Sequence, residues 1–225
     1  MTTVKRKPGR PRAYDPDRAL ASARDVFWDA GFASSSLDDL SAAMSMTRPS
    51  LYGAFGDKEA LFLRTLEAYR DGSLVLLRER LDPERPLREC LAGVYATAIE
   101  IYLGGEGPAL GCFLIGTATV EAPRHPEIRH ILRDSLRLFD DVVEDRLKLA
   151  IQRSELPAAT DVSALAKLAS GIMHSLAIRA RAGEPRAVLE AIAASGVELI
   201  CGGGAAVTKG RPAAVAKASP ARSSR

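Results

Sequence analysis

Apolar residues recur at three- and four-residue spacings along most of this 225-residue chain, the period of helices buried along one face. Leu20, Ala23, Val26 and Phe27 form the first stripe and predict a helix from about Asp15 to Ala30, with Pro16 at its first position and Gly31 as its stop. Trp28 is expected in the core. Leu37, Leu40 and Ala43 mark the inner face of a short second helix, for which Ser34 to Ser36 offer N-caps and Asp38 and Asp39 suit the first turn. Ser45 and Met46 fill a tight turn, and Thr47 caps a third helix with Pro49 in its first turn. Asp57 caps a long helix reaching about Leu81, with Gly72 a candidate break.

Further helices are predicted over about Leu87 to Leu103, Gly111 to Glu121, Glu127 to Ser154, Asp161 to Ala182 and Pro185 to Cys201. The loop Gly104 to Pro108 and the prolines at 83, 86, 123, 126 and 157 punctuate them. The last two helices carry broad Ala, Leu, Ile and Val faces with little charge, which predicts one face on the core and another on a second subunit. No internal repeat is evident. The expected fold is all-α. It divides into residues 1–13 as a disordered basic arm, 14–60 as a three-helix head, 61–202 as a larger helical domain and 203–225 as a disordered basic tail.

Composition supports this division. Hydrophobic residues make up 47% and aromatics only 5%, an Ala/Leu-packed balance that favours helices over a sandwich of strands. The net charge of +3 conceals a segregation: ten of the 31 basic residues lie in residues 1–12 and 201–225, which hold no acids. The remaining 21 face 28 acids, so the body is near −7. Basic tails on an acidic body suit arms that reach for phosphates. Three widely spaced cysteines indicate a reducing compartment. No apolar run reaches the roughly 18 residues of a membrane span, and the first twelve residues lack a signal-peptide core. The expectation is a cytoplasmic protein without a membrane partner.

Helix, tight turn and helix over 37–53 form the layout that sets a second helix in the DNA major groove. Arg48 has a fork that matches guanine or a phosphate, Ser50 can meet base edges or phosphate, and Ser36 and Thr47 stand at helix N-termini suited to phosphate. Pro8 to Arg12 looks like the core of an AT-hook, placing Arg10 and Arg12 in an adjacent minor groove. Lys209 to Pro212 repeats its Gly-Arg-Pro element. A competing reading is an architectural protein gripping A·T-rich DNA through these tails. Enzyme chemistry finds little support. Cys112 and His174 sit in no nucleophile motif, and His125 and His130 are badly spaced for one helical face. Gly104 to Gly107 lacks the Lys-Ser/Thr of a phosphate loop. No cofactor and no metal site are expected.

Leu40, Ala43, Leu51-Tyr52, Phe55 and Lys58-Glu59-x-Leu61 resemble the signature of the tetracycline-repressor (TetR) family of bacterial regulators, with Thr47–Phe62 especially similar. The resemblance covers about residues 15–63. Where the family usually carries Gly in the turn, this chain has Ser45. The resemblance implies a repressor that binds a palindromic double-stranded DNA operator as a homodimer, through a four-helix bundle of the last two helices, and is released by a small-molecule effector. It implies a recognition helix at Thr47–Gly53, and it makes Tyr52 and Lys58 contacts to the DNA backbone. It also implies an apolar effector pocket, for which Tyr95, Tyr102, Cys112, Phe113, Met173 and His174 are the candidate lining. Gly111 to Leu114 resembles a Gly-Cys-Leu segment of regulators that sense electrophiles or oxidants. Cys112 in a helix's first turn is a candidate thiolate, with a buried, inert thiol the more common outcome for such a cysteine.

Overall fold

A computed structural model describes residues 14–104 and 107–202. The arms at 1–13 and 203–225, and with them Arg10, Arg12 and the expected disorder of both tails, lie outside the described residues. Within them the chain is all-α, with nine α-helices and no strand. These are α1 (Pro16–Ser34), α2 (Leu37–Ala43), α3 (Arg48–Phe55), α4 (Lys58–Arg80), α5 (Leu87–Leu103), α6 (Thr119–Glu121), α7 (Pro126–Gln152), α8 (Val162–Arg181) and α9 (Arg186–Gly202). One π-helical turn, Leu114–Ala118, leads directly into α6.

The caps are where the polar pattern puts them. The Asp15 carboxylate accepts from the backbone N–H of Asp17 at 3.0 Å, Asp57 from Ala60 at 2.8 Å and Asp161 from Ala164 at 3.1 Å. Each satisfies a donor that the helix itself leaves free. Gly31 breaks the helical course of α1 at φ +80°, yet helical turns resume to Ser34, so the stop is a kink. Gly72 causes no break: α4 runs through it. The segment expected to be helical from Gly111 starts later. Gly111 instead adopts φ +69° and passes so close to α8 that an added Cβ would stand 2.4 Å from the Ala177 carbonyl oxygen.

Two cores result. In the first, α1, α2 and α3 pack Ala23, Phe27, Leu40, Leu51 and Phe55 against Leu61, Phe62 and Leu66 of α4. In the second, α5, α7, α8 and α9 gather around Leu91, Tyr95, Leu147, Ala166, Leu176 and Leu189. Helix α4 belongs to both, because Leu77 near its C-terminal end lies in the second. The π turn also joins them. Phe113, Leu114 and Ala118 are buried in the first core, while Cys112 packs against both. On α8 and α9, Leu168, Ile178, Val188 and Leu199 remain exposed.

Candidate nucleic-acid interface and body cavity

Helix α2 starts from a reciprocal cap. The Asp39 N–H donates to Ser36 Oγ at 3.1 Å, and the Ser36 N–H donates to Asp39 Oδ2 at 3.2 Å. The Ser36 hydroxyl also donates to that carboxylate at 2.6 Å, holding Asp39 below the usual carboxylate range. The turn to α3 is closed by the Met46 N–H on the Ser41 carbonyl at 2.9 Å, with Ser45 at φ +52°. Serine therefore takes the left-handed geometry for which glycine is the easier residue.

Leu51 and Phe55 anchor α3 in the head core, and this burial fixes what faces outward. Thr47, Arg48, Pro49, Ser50, Tyr52 and Gly53 form one exposed face. Thr47 Oγ1 lies 2.9 Å from Ser50 Oγ and accepts from the Ser50 N–H at 3.4 Å. Tyr52 is 48% exposed, so its phenol is free to meet a partner rather than packed as core. Arg48 donates twice to Asp38 on α2, from Nε at 2.8 Å and from an NH2 nitrogen at 2.5 Å. The carboxylate raises the guanidinium's proton affinity and aims it along the outer surface. Lys58 is drawn inward. Its ammonium lies 4.8 Å over the Phe32 ring and donates to the Ala33 carbonyl at 3.4 Å, and partial burial lowers its pKa. The helix expected at Thr47–Gly53 is observed as Arg48–Phe55 with Thr47 as its cap.

An apolar cavity of about 80 Å³ lies in the body between α4, α5, α7, α8 and the π turn. From α4 it is lined by Tyr69, Ser73, Leu76, Leu77 and Arg80, and from α5 by Val94, Thr97, Ala98, Ile101 and Tyr102. Leu132, Ser135, Leu136 and Phe139 close it from α7, and Met173 and His174 from α8. Cys112, Leu114 and Ile115 complete the wall. Four of the six candidate lining residues, Tyr102, Cys112, Met173 and His174, are brought together here. Two are not. Tyr95 is buried in the second core with its hydroxyl donating to the Ala169 carbonyl at 3.3 Å. Phe113 points the opposite way from its neighbour Cys112, into a cluster with Trp28 at 5.7 Å, Phe62 at 5.9 Å and Tyr69 at 5.5 Å.

Nothing in the local sequence around Tyr69, Ser73 and Arg80 sets them apart from other positions of a long helix. Their placement at i, i+4 and i+11 on α4 was the available signal. The Tyr69 hydroxyl donates to Cys112 Sγ at 3.7 Å, and burial pushes both phenols, Tyr69 and Tyr102, upward in pKa. Burial also pushes the Cys112 thiol up, so the group is held protonated, which favours the inert thiol over the thiolate. Desolvation lowers His174, which stays neutral, with Asp140 opposing that shift. The wall thus carries one permanent charge, Arg80. Among the described residues no group of His, Cys, Asp and Glu could hold a metal ion.

Head and cavity adjoin through the aromatic cluster. The Trp28 indole N–H donates to the Leu110 carbonyl at 3.2 Å. His125, at the start of α7, places Nδ1 3.2 Å from a Glu59 carboxylate oxygen on α4, with Phe32 edge-on at 5.4 Å. Sequence spacing gave no hint of that junction.

Comparison with known proteins converges on one group. The family model described as "Bacterial regulatory proteins, tetR family" matches residues 19–65. A second, "Tetracyclin repressor-like, C-terminal domain", matches residues 77–195. The HTH-type transcriptional repressor ComR of Escherichia coli (strain K12) is 31% identical over 197 residues, covering 87% of this chain and 93% of that protein. The repressor BdcR of the same organism is 37% identical over 117 residues, 51% of this chain and 59% of that protein. A structure of a cysteine mutant of the TetR family regulator CifR with 26-bp operator DNA superposes with a TM-score of 0.76 at 32% identity, covering 84% of this chain and 98% of that one.

Proposed function

The chain belongs to the tetR family of bacterial regulatory proteins, and we propose that it is a repressor whose hold on operator DNA is released by a small apolar effector. It is a DNA-binding transcriptional regulator, not an enzyme. The observation that carries the finer reading is the position of the π turn. Cys112 forms cavity wall while the next residue, Phe113, is buried in the head core. At about 80 Å³ the cavity is smaller than the roughly 300–1,000 Å³ of occupied ligand sites, so an effector must spread its walls. Spreading them displaces α4 and the π turn, and the head packs on both. The effector acts because it prefers the spread state; without that difference in affinity nothing would shift.

On DNA, Arg48, Ser50 and Thr47 would face base edges or phosphates, and Tyr52, Ser36 and Lys58 the backbone. Lys58 must leave Phe32 to do so. Arg10 and Arg12 would follow the flanking minor groove. The exposed Leu168, Ile178, Val188 and Leu199 of α8 and α9 support a homodimer through these helices, which places two heads on a palindromic site. Residues 14–60 would serve as head and 61–202 as regulatory and dimerisation domain, acting in the cytoplasm. A gel-shift with the gene's own promoter region tests the reading. Binding that survives excess non-specific competitor is expected; binding abolished by such competitor would overturn it.

A further inference from the structure

The polar groups of the cavity are unevenly placed. Tyr69 and Arg80 stand eleven residues apart on α4, about 16 Å at the helical rise. At the Tyr69 end, the Tyr69 hydroxyl donates to Cys112 Sγ at 3.7 Å with Ser73 one turn further along α4, and Tyr102 lines the same end beside that sulfur. A phenol is a strong donor and a thiol a weak acceptor, so the Tyr69 O–H is spent on a poor partner. In an apolar surround that mismatch costs more than it would in water.

The same end resists charge. Burial keeps both phenols and the thiol protonated, and no acidic side chain lines the cavity among the described residues. A carboxylate seated there would meet no cation, since Arg80 is at the far end of the α4 stripe, and an ammonium would meet no anion. Apart from the Ser73 hydroxyl next to Tyr69, the site lacks an uncharged, strong hydrogen-bond acceptor placed between the two phenols. The rest of the wall is mainly apolar, Ala98, Ile101, Leu132 and Phe139 among others, with the hydroxyls of Ser73, Thr97 and Ser135 between them.

We propose that the cavity takes neutral carbonyl compounds with an apolar body, the carbonyl oxygen accepting from the Tyr69 and Tyr102 hydroxyls in place of the Cys112 sulfur. This rests on the cavity being the effector site. The Tyr69 hydroxyl turns from a weak acceptor to a strong one, the Tyr102 hydroxyl joins it there, and no proton changes hands. A hydrocarbon of the same shape fills the same space without that gain, which makes the carbonyl the selecting group.

Calorimetric titration with three matched probes tests it: acetophenone, ethylbenzene and benzoate, each on the wild-type protein and on a Tyr69→Phe/Tyr102→Phe variant. Acetophenone is expected to bind wild type about tenfold or more tighter than ethylbenzene, with benzoate weakest. In the double variant the preference should vanish while ethylbenzene affinity is retained, which also shows that the variant is folded. Equal binding of acetophenone and ethylbenzene by wild type, tighter binding of benzoate, or a carbonyl preference that survives in the double variant would each overturn the assignment. Operator binding in the presence of each probe separates the two layers. If ethylbenzene binds and releases operator as well as acetophenone does, the effector cavity stands and the carbonyl assignment falls. If none of the three binds, both fall.

Discussion

The indole of Trp28 stands edge-on to the phenol ring of Tyr69, ring centroids 5.4 Å apart with their planes at 81°. Trp28 belongs to the first helix of the head and Tyr69 to the cavity wall, so this pair is a direct contact between the core of the head proposed to hold DNA and the wall of the space proposed to hold the effector. The Trp28 N–H adds a hydrogen bond to Leu110, at the entrance to the π turn. Head and cavity wall cannot move independently while this packing holds.

Trp28→Phe keeps an aromatic ring but removes the N–H, leaving the Leu110 carbonyl to the Arg181 guanidinium alone, at 3.2 Å. The expected cost is about 1–2 kcal/mol of stability. Operator affinity without effector should stay within a few-fold of wild type, while the effector concentration needed for release shifts. Thermal melts and an effector dose–response on the same preparation check both parts.

Arg48 and Asp38 should respond with opposite signs. Arg48→Ala removes the fork on the exposed face of α3 and should weaken operator binding by about ten- to a hundredfold if the residue reads a base. Asp38→Asn frees the guanidinium and deletes a negative charge facing the DNA, so binding should tighten and its salt dependence steepen. Anisotropy titrations at several salt concentrations read both quantities.

Ser45 holds a left-handed conformation at φ +52°. Ser45→Gly should leave the melting temperature unchanged or raise it. Ser45→Val, branched at Cβ, should cost about 1–2 kcal/mol. Melts of the two variants at one pH decide it, and equal melting temperatures would mean that the turn is not strained.

His174 contributes a pH limb. Burial lowers its pKa beneath the ordinary 6.5, so below that pH the unfolded chain takes up a proton that the folded protein refuses. Stability is therefore unaffected by this group at neutral pH, falls as pH drops below about 6.5, and levels off beneath the folded-state pKa. The Cys112 thiol acts at the other end: raised above 9.0 by burial, it keeps its proton when the unfolded chain has lost it. Stability again falls as pH rises past that value. His174→Gln should flatten the acid limb in a pH series of melting temperatures, and Cys112→Ser the alkaline one.

Most of the architecture was legible because it rests on local rules. The caps at Asp15, Ser36, Thr47, Asp57 and Asp161 and the apolar stripes are patterns within one or two helical turns. What escaped depends on contacts distant in sequence. Tyr95 and Phe113 look like Tyr102 and Cys112 in a sequence, as apolar-face residues beside one another. Only the packing of α8 on α5, and of the π turn on α1, decides which of them sees open space. The place of Cys112 in a first turn leaves open whether it is a thiolate or an inert thiol; burial decides for the protonated thiol. Asp38 as the partner of Arg48 needed the angle between α2 and α3, which no spacing encodes. His125 against Glu59 needed the whole fold.

Filling the cavity should by itself release the head from DNA, which can be tested without knowing the effector. Ala98 is buried on the cavity wall and has the smallest side chain there. Ala98→Phe places a permanent occupant in the space, and a crystal structure can confirm that the ring is seated in it. In anisotropy titrations of a promoter duplex with excess non-specific competitor, the folded variant should bind at least about tenfold more weakly than wild type. An unchanged Kd with the phenyl ring in the cavity would contradict the account.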